Sequence, residues 1–156
     1  MNSVTFSEVE RLIEQLRKRR DPMAARRFAC DCVRRIWTRV ESQPYVSPHV
    51  MDQCRKALEL TERSIIGLVV EDELREIDFE VVTDNGDDAF IAASHVGWNL
   101  FARINGLDEI DEYDGARQTA FLVARLAGAD EINRQVVRLQ ILNSECDSLH
   151  TGIAGT

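Results

Sequence analysis

The chain has 156 residues, 44% of them hydrophobic and 29% charged, with a formal net charge of −8. That is the size and composition of one globular domain able to close a core. No apolar run approaches the ~20 residues of a spanning helix, and Met1–Glu10 lacks the basic start and apolar stretch of a signal peptide. We therefore expect a cytoplasmic chain with no membrane partner, its four cysteines reduced.

The first helix is predicted from about Ser7, capped by Thr5 or Ser7, with Val9, Leu12, Ile13 and Leu16 on one face. It ends in the cations Arg17 to Arg20, which suit a helix C-terminus. Asp21-Pro22 is a cap followed by proline and starts a second helix to about Glu41, with Phe28, Ala29, Cys32, Val33, Ile36 and Val40 as its apolar stripe. Pro44 marks a loop. Ser47-Pro48 repeats the start signal for a third helix carrying Val50, Cys54, Ala57, Leu58 and Thr61, which fades near Gly67.

Asp72 is a candidate cap for a fourth helix with Leu74, Ile77 and Val81. Residues 72–83 also alternate in the manner of a strand at Ile77, Phe79 and Val81, but a lone strand would have no partner. Asp84-Asn85-Gly86 signals a turn. The fifth helix, at about 87–104, is apolar on nearly every side apart from His95, Asn99 and Arg103, and such a helix belongs in the middle of a bundle. Asn105-Gly106 stops it. A sixth helix has a small-residue face of Ala116, Ala120, Val123, Ala124 and Ala127. Gly128-Ala129-Asp130 ends it and caps a seventh with Ile132, Val136, Leu139 and Ile141 or Leu142 facing inward. The expected fold is an all-α compact bundle of six or seven helices, one domain over 1–147 with a frayed tail over 148–156. Its core should hold Phe28, Cys32, Ile36, Leu58, Val96, Leu100 and Phe101, with Trp37 beside it.

The candidates for chemistry fail on spacing or context. Cys30 and Cys32 are two apart, so on a helix they point about 200° from one another and cannot share one metal ion. They read as core and packing residues. Asp84 to Asp88 lacks the spaced ligands and closing glutamate of a calcium loop and reads as a polar turn. His95 has no inferable acid–base partner and reads as a histidine at the edge of the core. The pairs Arg26-Arg27 and Arg34-Arg35, like Arg17 to Arg20, have few aromatics among them; they read as solvated faces and ion pairs with the acidic segment, not as a nucleic-acid site. We expect no catalytic residue, metal or cofactor, and so no enzyme.

Charge is the outlier. Residues 1–70 carry a net +4, residues 71–114 a net −12 and residues 115–156 a net of zero. The acids are Glu71, Asp72, Glu73, Glu76, Asp78, Glu80, Asp84, Asp87 and Asp88, then Asp108, Glu109, Asp111, Glu112 and Asp114. Such a segment repels nucleic acid and attracts a basic protein, so these residues are the expected partner-binding surface.

Arg27-Phe28-Ala29-Cys30-Asp31-Cys32-Val33-Arg34-Arg35-Ile36-Trp37, followed after a loop by Ala57-Leu58-Glu59-Leu60-Thr61-Glu62-Arg63, is similar to a known pattern, R-x-F-A-C-x-C-x-R-R-x-W. In this the chain resembles the all-α immunity proteins of bacterial polymorphic-toxin systems and related planctomycete helical domains. The resemblance is specific over residues 26–63 and follows the layout of 7–145. It implies an α-helical fold and neutralisation of a cognate toxin by direct binding, with no catalytic residues. The middle helices of those domains are alanine-rich, whereas Glu71 to Asp88 is acidic here. A structural or regulatory subunit docking through an apolar helix face is the alternative expectation.

Overall fold

In the computed structural model, which describes residues 4–43, 46–79, 88–106 and 111–154, the first helix α1 is Phe6–Lys18. Its four predicted apolar residues, Val9, Leu12, Ile13 and Leu16, are all buried. Thr5 is its N-cap through backbone geometry alone, with no side-chain cap bond. The chain leaves α1 through Arg20 at φ +56, and the Asp21 amide donates back to the Leu16 carbonyl at 3.1 Å. That closes the last turn in the manner of a left-handed cap, in which glycine is the usual residue.

Asp21 then caps α2, Pro22–Arg35, accepting from the Ala24 amide at 3.1 Å, with proline in the first turn where its missing N–H costs nothing. Ser47 caps α4, Pro48–Ile65, in the same way from Val50 at 3.2 Å. The predicted second helix breaks at Ile36 into α2 and a five-residue α3, Trp37–Glu41. The fourth predicted helix shrinks to α5, Glu71–Arg75. Its N-cap is Val70, not Asp72, and it stops before Ile77. Ile77 and Phe79 are buried beyond its end. Both side chains anchor the chain in one apolar cluster, and no strand occurs among the described residues. Val81, Pro44 and the 84–86 turn lie outside those residues.

The remaining helices are α6, Asp88–Ile104; α7, Glu112–Ala127; and α8, Ala129–Ala154. Gly106 at φ +68 follows α6, and Gly128 at φ +91 separates α7 from α8, a conformation glycine adopts without steric cost. The backbone of α8 continues to Ala154, past the Ser148 at which the sequence predicts fraying. The chain is thus all-helical, six longer helices and two of five residues among the described residues.

The predicted central helix is central: α6 packs against α2, α3, α4, α5 and α7. The small face of α7, with Ala116, Ala120 and Val123 buried, meets both α6 and α2. Phe28, Cys32, Ile36, Leu58 and Val96 lie in the main core, with Trp37 half-buried against it. Leu100 sits in a second cluster with Leu60, Val70, Leu74, Ile77 and Phe79. Phe101 is only partly buried, at the edge of that cluster, where it and Phe79 lie 5.3 Å apart by ring centroids. Among the described residues no helix is long and apolar enough to cross a membrane.

Candidate docking surface

The corner between α4 and α5 is built by opposite demands on neighbouring residues. The amides of Ile66 and Leu68 both donate to the Arg63 carbonyl at 3.2 Å, and Gly67 turns at φ +86. The chain swings out there and returns at Val70, which is buried in the second cluster. Ile66, Leu68 and Val69 are left 75%, 53% and 86% exposed, and Val69 and Ile66 are the two most exposed large apolar side chains among the described residues. The sequence shows only an apolar run from Ile65 to Val70; its outward turn depends on Gly67 and on Val70 as anchor, so periodicity does not mark it as surface.

The acids of α5 follow at once. Leu74 and Ile77 are buried and pin the segment, which leaves Glu71, Asp72, Glu73, Glu76 and Asp78 exposed. Carboxylates at Glu71, Asp72 and Glu73 also suit the positive end of a helix. Their nearest cations are half-exposed: Arg63 is 3.6 Å from Glu73 and Arg75 is 3.6 Å from Asp72. Exposed pairs of this kind contribute ~0–1 kcal/mol and leave the field strongly negative.

The second acidic group points elsewhere. Arg17 bonds both Asp111 and Asp114. Asp111 also caps α7, accepting from the Asp114 amide at 2.7 Å. Burial raises the Asp111 pKa, but the Asp114 amide and Arg17 outweigh it and hold the carboxyl below its ordinary value. Glu112 corrects the sequence reading outright. Its side chain is 4% exposed, 2.5 Å from Arg26 and 3.4 Å from Arg103, so it cannot meet a partner. Asp88 lies 3.8 Å from Arg125. Glu80, Asp84, Asp87, Asp108 and Glu109 lie outside the described residues.

Of the basic clusters, Arg17 and Arg26 pair with acids of the 71–114 segment, whereas Arg34 and Arg35 pair with acids outside it. Arg34 pairs with Glu62 at 2.5 Å, Arg35 with the buried Glu131 at 2.6 Å, and Arg138 with Asp31 at 2.7 Å. No known protein family matches the chain, and no curated protein or solved structure is significantly similar to it. Cys30, Cys32 and Cys54 are free and buried, and burial pushes the Cys54 thiol up to about 12. Among the described residues no group of three or more His, Cys, Asp or Glu is placed to hold one metal ion. His95 is half-buried, and burial holds its imidazole below the ordinary histidine value.

Proposed function

We propose that the chain is a non-enzymatic protein-binding domain that docks a basic partner through the α4–α5 corner. The observation that carries this is the juxtaposition of exposed Ile66, Leu68 and Val69 with the exposed acids of α5. Residues buried at the middle of a contact supply most of its binding energy, and charges at its rim set approach rate and selectivity. The partner this fits has an apolar pocket within a basic face. A nucleic-acid-cleaving toxin has such a basic face at its active site, and with the immunity-protein resemblance this makes toxin inhibition the reading we favour.

The test begins with co-purification of the chain with the products of adjacent genes. With a partner in hand, Glu71→Lys, Asp72→Lys and Glu76→Lys together should slow association by about tenfold or more and weaken its salt dependence. Val69→Asp should speed dissociation. A partner whose rates ignore both changes binds elsewhere, and the proposal fails. A second reading has its own observation: Val137 and Ile141 share the outer face of α8 at 55% and 44% exposure. Concentration-dependent self-association abolished by Val137→Glu would favour an assembly subunit instead.

A further inference from the structure

We infer that the junction of α2, α6 and α7 is a binding site for a single ordered water that completes a buried ionic pair. Arg26, Asn99 and Glu112 line a cavity with about 10 Å³ of room for the centre of a water molecule. That is close to the space one water needs. The other walls are apolar and include Ala29, Val96 and Ala116.

Each of these three lining residues has a buried polar atom with no protein hydrogen-bond partner among the described residues: Arg26 Nε, Asn99 Oδ1 and Glu112 Oε2. The rest of each group is occupied or fixed. Arg26 donates through Nη2 to Glu112 Oε1 at 2.5 Å and through Nη1 to Ser64 Oγ at 3.1 Å. The Asn99 amide lies over Gly115, where a Cβ would come within 2.0 Å of its Nδ2. Glycine at 115 is therefore what lets the amide sit here, and Asn99 is 6% exposed.

The orphaned atoms are one donor and two acceptors. One water accepts one hydrogen bond from Arg26 Nε–H and donates one each to Asn99 Oδ1 and Glu112 Oε2. Buried waters typically make about three hydrogen bonds, and a buried polar atom left without any is costly, so the three needs meet in one molecule. A cation is opposed by the Arg26 guanidinium and an anion by the Glu112 carboxylate. An apolar guest would satisfy none of the three.

A high-resolution crystal structure of the full chain tests this. The expected result is one water within ~2.6–3.2 Å of all three atoms. In solution, the same water should give nuclear Overhauser contacts to the Arg26 Nε proton. Asn99→Leu keeps the volume and removes one acceptor, and should lose both the density and the contact while the Arg26–Glu112 pair persists. Dry density with Arg26 Nε closed directly onto Glu112 Oε2 would overturn the inference, as would an ion in the cavity or a water that survives Asn99→Leu. If that variant does not fold, the density of the unaltered chain decides.

Discussion

Replacing Glu112 by alanine should be among the most damaging single changes in this chain, and it should cost more than replacing its partner. Arg26 and Glu112 have side chains 10% and 4% exposed, so each charge has given up nearly all its hydration. Removing one member of such a pair strands the other, at about 3–5 kcal/mol. The two sides are not equivalent. Without Arg26, Glu112 keeps Arg103 at 3.4 Å. Without Glu112, the partners of Arg26 among the described residues are Ser64 Oγ at 3.1 Å and the Met23 sulfur at 3.5 Å, neither of them an anion. Urea unfolding followed by circular dichroism reads the difference. With a slope of ~2 kcal/mol per molar, Glu112→Ala should lower the midpoint by roughly 1.5–2.5 M, and Arg26→Met by less. Arg26→Met with Glu112→Leu should recover most of the loss, because the pair's desolvation cost disappears along with its attraction. A Glu112→Ala midpoint within about 0.5 M of the unaltered chain, or a larger loss for Arg26→Met, would refute this reasoning.

Two more outcomes are expected. Gly115→Ala should destabilise by ~1–3 kcal/mol through overpacking against Asn99, and Asn99→Ala in the same chain should relieve much of that; strictly additive losses in thermal unfolding would show that the two do not touch. Burial holds the His95 pKa below 6.5, so the unfolded chain binds more protons between the folded value and 6.5. Stability should therefore fall as pH drops through that window, and His95→Gln should flatten that part of the curve; urea midpoints with the same pH slope in both proteins would count against it.

The fold was legible where one rule governed each residue. Asp21-Pro22 and Ser47-Pro48 start helices because cap and proline serve the same unsatisfied amides, and both starts are found with their side-chain cap bonds. The apolar surround of α6 named the central helix because no solvated position would tolerate it. Residues 72–79 were less legible because Ile77 and Phe79 are placed by the second cluster, formed with Leu60 and Leu100 from other helices. No local period encodes such a contact. The break at Ile36 is similar: Ile36 and Val40 continue the apolar stripe of α2 and are both buried, so the pattern reads through an interruption of the backbone.

The acidic surface shows why net charge along a chain is not charge in space. Residues 71–78 and 111–114 look alike in sequence, yet their neighbours in three dimensions differ. The α5 acids face solvent, with Arg63 and Arg75 their half-exposed companions. The acids at the start of α7 meet Arg17 from α1, Arg26 from α2 and Arg103 from α6, and one of them is buried. The same residue type thus does two jobs. At α7 the carboxylates tie the helix start into the bundle, and their negative field is cancelled at short range. At α5 they stand exposed with half-exposed arginines, beside three apolar side chains the chain turns outward. The docking proposal therefore rests on that corner, where exposed acids adjoin exposed apolar side chains, and not on the chain's total charge.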